Sequence, residues 1–290
     1  MRVLVTGAAG YVGNQLCRVL LAAGHDVTCL DTFAHGYEPV MHLVGDPHLS
    51  IIRADVRSEE LELFVLLQNA EVVFHLAAIS GYQQCEANPA EAVSVNVEGT
   101  RNLIAAMVPE QLLVYAGTTS CYGPQTLYAQ TKLQAEQLVM ARPNSFAIRW
   151  ATLFGVGPGM RHELLPNAFT RQAVQRRHLD LFSPDQQRTF MHVRHAAEAY
   201  VLAMGMADAL VGRVWDVGDV GLTCTKRELV GHIQDHVCCD YSVMGEPDKD
   251  GRDLDVDFNA TLDKGLSRRT EWGRHLPELV KLYGSCYGEG

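Results

Sequence analysis

Residues 2–13, RVLVTGAAGYVG, constrain the fold more than any other stretch of this chain. A short apolar run reaches Gly7, Gly10 and Gly13 and passes at once into an apolar helical pattern. Such a run reads as a buried strand, and the glycines let the backbone turn tightly and approach a ligand. At the start of the following helix, free N–H groups and the helix dipole favour an anion. Asp31 closes the next apolar run, DVTCLD. Strand, glycine turn, helix and an acidic residue ending the second strand together make a dinucleotide site. Gly7, Gly10, Tyr11, Val12 and Gly13 lie under the pyrophosphate, and Asp31 accepts from the adenosine ribose. A carboxylate there repels a 2′-phosphate, so the cofactor expected is NAD rather than NADP. Asp55 and Val56, ending the third apolar run, are placed to meet the adenine; capping a helix is an equally good use of Asp55.

The rest of the first half keeps the same rhythm. Short β-branched runs (SIIRADV, EVVFHLAA, LLVYAGT, SFAIRWAT) alternate with helical patterns near residues 58–69, 89–107 and 128–141. Alternation of this kind implies right-handed crossovers and a parallel sheet covered on both faces. The expected class is therefore α/β, a doubly wound Rossmann sheet over residues 1–154. A breaker cluster, Gly155, Gly157, Pro158 and Gly159, then opens a less regular stretch with helices near residues 195–206 and 225–236. Residues 155–290 read as a smaller, substrate-binding lobe that returns some elements to the first domain.

On the helix after LLVYAGT, Tyr128 and Lys132 stand four residues apart and so share one face. A phenol near pKa 10 is a poor base at neutral pH, and a neighbouring ammonium favours the phenolate. Beside an independent dinucleotide signature, this spacing points to a proton-transferring pair.

The G-x-x-G-x-x-G turn with Tyr-x-x-x-Lys resembles the extended short-chain dehydrogenase/reductases, and more narrowly the NAD-dependent epimerase/dehydratase family acting on nucleotide sugars. Ordered matches run along nearly the whole chain: TGAAGYVG, LDTFAHG, HLAA, GTTSCYG, YAQTK, RWATLFGVGPG, RTFMHV and TKREL. The resemblance implies that Thr118 hydrogen-bonds the reacting hydroxyl and that Lys132 also holds the nicotinamide ribose. It places Asn96 and the backbone near Ala77 and Ala78 on the same side, Thr119 and Ser120 against the sugar, and Asn167, Arg188 and Arg252 on the nucleotide diphosphate. Arg149 and Arg161 are weaker candidates for that last task. It also implies a homodimer built on the helices before Met107 and after Tyr128.

Within that family the residues after Thr118 separate reactions. The 4,6-dehydratases resemble one another in an acidic pair, and the 3,5-epimerases in a cysteine two places on. Here those positions hold Thr119 and Ser120, with Cys121 one place late. What remains is hydride transfer with one proton shuttle, for which 4-epimerisation through a transient 4-ketosugar is the simplest reaction. A nucleotide-sugar ketoreductase or dehydrogenase is the alternative, and a non-catalytic dinucleotide sensor a third reading. Only residues 124–127 separate Gly123 from Tyr128, where the family has a longer, pocket-shaping loop; His195 and Thr152 stand where it has Asp and Asn.

The formal net charge of -10 disfavours nucleic acid or an anionic membrane as partner. Eight scattered cysteines suit a reducing cytoplasm, and no apolar run approaches the roughly 20 residues of a membrane span. His75 reads as a satisfied core histidine. A metal at His232, His236, Cys238 and Cys239 is not expected: an amphipathic helix followed by a strand accounts for them.

Overall fold

The structure, a computed structural model, describes residues 1–58, 69–245 and 253–285. The helix expected near residues 58–69 falls almost wholly outside these, as does Arg252.

Seven strands form one parallel sheet: β1 (Arg2–Thr6), β2 (Asp26–Asp31), β3 (Leu49–Arg53), β4 (Val72–His75), β5 (Leu112–Thr118), β6 (Ser145–Trp150) and β10 (Val214–Val217). Their order is β10-β6-β5-β4-β1-β2-β3. The continuous apolar runs of β1, β4 and β5 occupy the middle, where both faces are covered, and the more exposed β3 takes an edge. This is the Rossmann-like α/β fold expected from the alternation. The order reverses between β1 and β4, which is where such sheets open a ligand crevice at their carboxyl ends. In register, Thr6 pairs with His75 and Leu30, and Thr118 with Trp150. The turn after β1, Asp31, the loop after β4 and Thr118 thus emerge on one edge.

Beyond residue 154 the chain divides its contributions. Strand β7 (Thr152–Phe154) pairs with β9 (Gln187–His192), which pairs antiparallel with β11 (Asp219–Thr225). A two-stranded parallel ribbon joins β8 (His178–Phe182) to β12 (Asp240–Met244). Phe154, Phe190, Leu229, Ile233, Trp272 and Leu279 share a separate core there. In contrast, β10 extends the main sheet beside β6, and Tyr200, on the helix Val193–Gly205, is buried edge-on against Phe74 and Trp150. Among the described residues no helix is long and apolar enough to cross a membrane.

Candidate active site

The glycine turn is as tight as its spacing suggests. Gly7 has φ of +69°, and a Cβ there would lie 2.7 Å from the backbone nitrogen of Ala77. At Gly13 a Cβ would collide with the Gly7 carbonyl oxygen. The turn can therefore nest against the strand loop only as glycine, leaving the N-terminal end of the helix Tyr11–Ala22 facing the crevice. Asp31 lies where its carboxylate holds the turn itself: Oδ2 accepts from Ala9 N (3.0 Å) and Oδ1 from Phe33 N (2.9 Å). That second task was not readable from the motif. The Tyr11 hydroxyl donates to the Gly155 carbonyl, tying the turn to the second half of the chain, and burial pushes this phenol far above its ordinary pKa. Val56 is buried. Asp55 is held by Arg57, with Nη2 2.6 Å from Oδ2, and that bond lowers its carboxyl pKa.

Behind the loop after β4, His75 is wholly buried with both ring nitrogens engaged, by Thr6 Oγ1 and Thr100 Oγ1, each at 2.8 Å. Burial, with Lys132 adding repulsion, pushes its pKa down to about 3, so it stands as a neutral core histidine. The Thr6 hydroxyl also accepts from Ala77 N (3.2 Å). Asn96 clamps the next turn of the same loop. Its Oδ1 accepts from Ile79 N (2.7 Å), and its Nδ2 donates to Ile79 O (3.1 Å) and to Thr131 Oγ1 (3.0 Å). Asn96 lies in a π-helical turn, Ser94–Glu98, a wide register common at functional sites.

Thr131 lies between Tyr128 and Lys132 on the helix Leu127–Met140, which Thr126 caps by accepting from Ala129 N. Its hydroxyl donates to the Tyr128 carbonyl (3.2 Å), so the Asn96 clamp reaches the first turn of the helix that carries the pair. Tyr128 is half-buried, whereas Lys132 is 4% exposed with Nζ 4.2 Å from the Tyr115 ring centroid. Burial lowers the Lys132 ammonium from 10.5 to about 7. Such a lysine is a strong donor to any ligand oxygen that relieves its desolvation, and once charged it favours a nearby phenolate.

At the end of β5, the Thr118 hydroxyl accepts from Ser120 N (3.1 Å) and donates to Ser120 Oγ (3.0 Å), while Thr119 Oγ1 donates to Trp150 O (3.0 Å). This row is hydroxyl only. Of the carboxylates nearby, Glu136 is bound to Arg149, at 2.5 Å, while Asp216 accepts from the Tyr122 hydroxyl with Oδ2, at 2.9 Å, its buried Oδ1 is without a hydrogen-bond partner, and burial raises its pKa. Burial raises the pKa of the Cys121 thiol to about 11, which removes it as a thiolate.

The residues assigned to a nucleotide diphosphate are more dispersed. Asn167 is wholly buried and clips one loop, accepting from Gly155 N (3.0 Å) and donating to Arg161 O (2.9 Å). Arg188 is buried in β9 opposite Cys224. Arg161 reaches across to the loop after β4, donating from Nη1 to Ser80 Oγ at 2.9 Å. Arg149 is drawn to Glu136 and the Tyr122 hydroxyl.

The sequence model of the NAD dependent epimerase/dehydratase family matches residues 3–218, spanning the turn, the Tyr128 and Lys132 pair and β10. The chain belongs to that family. Among its relatives is a UDP-glucose epimerase of Bacillus subtilis, itself uncharacterized, 28% identical over 248 residues, or 75% of this chain and 77% of that protein. A UDP-N-acetyl-alpha-D-glucosaminuronate decarboxylase of Bacillus cytotoxicus is 28% identical over 75% of this chain and 74% of its own. The UDP-glucuronic acid 4-epimerase of Bacillus cereus, solved with UDP-glucuronic acid and NAD, superposes with a TM-score of 0.83, covering 99% of this chain and all of that one; its 23% identity speaks to the fold. The chain is thus an NAD-dependent enzyme of the nucleotide-sugar epimerase, dehydratase and decarboxylase group.

Proposed function

We propose that this protein is a nucleotide-sugar 4-epimerase, with Thr118, Tyr128 and Lys132 as its reacting groups. The observation that carries this reading is the hydroxyl-only row Thr118, Thr119 and Ser120, set beside a pair made of Tyr128 and a buried lysine near neutrality. Dehydration needs a placed acid as well as a base, and the row after Thr118 offers hydroxyls alone.

The glycine turn fits a dinucleotide, since Gly7 and Gly13 let its backbone close tightly on itself and on Ala77 and leave the helix start open to a ligand. Bound there, NAD supplies the hydride acceptor and donor. Gly10, Tyr11 and Val12 present the helix start to the pyrophosphate, and Asp31 faces the adenosine ribose. Ala77, Ala78 and Asn96 wall the nicotinamide side, with Asp55 and Val56 at the adenine. Lys132 donates to the nicotinamide ribose. Tyr128 takes the proton of the sugar 4-hydroxyl, which Thr118 orients, and gives it back; bound NAD would accept the hydride of C4 and return it to the opposite face of the turned ketosugar. Asn167, Arg188 and Arg252 hold the diphosphate, and a homodimer through the helix Leu127–Met140 completes the reading.

The test is NMR of UDP- and dTDP-hexoses and UDP-uronic acids incubated with the protein. A C4 epimer formed without net reduction of NAD is expected, and Tyr128→Phe removes it while retaining cofactor. A ketosugar accumulating one for one with reduced cofactor would make the enzyme a dehydrogenase; loss of carbon dioxide would make it a decarboxylase.

A further inference from the structure

Away from the crevice, a cavity of about 450 Å³ is lined by His195, Glu198, Ser267, Arg268, Arg269, Thr270 and Arg274, with Leu262 its one apolar wall residue. We infer that this cavity is a second ligand site, built for a small phosphorylated anion that carries no nucleobase.

Three arginines line it, in a chain of formal net charge -10. One is offset, since Arg268 Nη2 lies 3.3 Å from Glu198 Oε2. Among the described residues neither Arg269 nor Arg274 has an ion-pair partner. Two side-chain nitrogens of lining residues, Arg268 Nε and His195 Nδ1, are buried without any hydrogen-bond partner. A buried donor left without a partner costs about 1–3 kcal/mol, so Arg268 Nε is short of an acceptor beside this arginine-lined cavity. Guanidinium groups suit phosphoryl oxygens because the planar fork bonds two of them at once. A base would need an apolar or aromatic face, and Leu262 alone does not provide one.

The wall is held in place by its own bonds. Arg268 N donates to Gly218 O (3.0 Å) and Arg268 O accepts from Val220 N (2.9 Å), strapping the segment to β11. Asp219 secures Thr270, two residues on, accepting from its N (2.8 Å) and its Oγ1 (2.6 Å). These bonds also weigh against a cation. His195, Asp219 and His275 bring ligand atoms within 4.8 Å of one another, yet both Asp219 oxygens are engaged and the arginines repel a divalent ion.

His195 gives the site a pH signature. It faces His192 and His275, the carboxylates Glu198 and Asp219, and Arg268. Burial, then His192, holds its pKa below the usual value. An anion beside the His195 ring favours the imidazolium, and binding tightens as pH falls.

The experiment titrates inorganic pyrophosphate by calorimetry into the protein saturated with NAD and UDP, which occupy the crevice. One further site is expected, and Arg269→Gln with Arg274→Gln, both exposed and free of ion pairs, weakens it by about tenfold or more. Sulfate, whose own charge is constant, binds more tightly at pH 6 than at pH 8, and His195→Gln removes that difference. No additional site, or one indifferent to the arginine pair, overturns the inference; displacement by zinc instead of pyrophosphate would make the cluster a metal site.

Discussion

Replacing Lys132 by methionine should make the cofactor-free protein more stable and catalytically dead. The side chain is 4% exposed, and burial lowers its pKa from 10.5 to about 7. Each pKa unit corresponds to about 1.4 kcal/mol. Because the folded value is the lower one, the unfolded chain binds the extra proton between pH 7 and 10.5, and stability rises with pH across that window. The buried lysine therefore costs about 4 kcal/mol at pH 7 and about 2 kcal/mol at pH 9. Methionine keeps most of the length and loses the charge. Urea unfolding of cofactor-free wild type and Lys132→Met at the two pH values reads the difference. The gain of the variant should fall by about 2 kcal/mol from pH 7 to pH 9. A gain that is absent, or constant with pH, refutes the account of a lysine held in a costly state for the ligand's sake.

Three further outcomes follow from the same geometry. Gly13→Ala forces a Cβ into the Gly7 carbonyl, so calorimetry should show NAD binding lost while the circular dichroism of the fold is retained. Asp31→Asn weakens NAD, admits NADP relative to wild type and loosens the bond to Ala9 N; an unchanged NAD to NADP affinity ratio contradicts the role proposed for its charge. Asn96→Ala leaves Ile79 N and the Thr131 hydroxyl short of a partner and costs about 1–3 kcal/mol in thermal or urea unfolding. Since it acts through the loop after β4 and the helix carrying Tyr128, kcat should fall with little change in the pH profile.

The sheet was legible because each strand is a short apolar run and each breaker lies where a parallel crossover turns. The glycine turn was legible for the same local reason: its spacing is a backbone requirement, Gly7 leaving room for the loop at Ala77 and Gly13 for the Gly7 carbonyl. Tyr128 and Lys132 needed no tertiary information beyond helical periodicity. What stayed hidden depends on residues far apart in the chain. Asn96 meets Ile79 and Thr131 only once the helices pack, and the bond from Ala9 to Asp31 joins residues 22 apart. The arginine cavity draws on the helix Val193–Gly205 and the strap after Leu266, so no window of sequence displays it. Burial itself was also invisible: nothing local distinguishes Lys132, held near neutrality, from a surface lysine.

The central claim is that hydride leaves C4 of the sugar and returns to it within one binding event. The most direct measurement uses a nucleotide sugar deuterated at C4, incubated with the enzyme in ordinary water and followed by NMR and mass spectrometry. The account predicts that the 4-epimer forms with its deuterium still at C4, because the label never exchanges with solvent. Loss of the label to water, or product formed without inversion at C4, would contradict it.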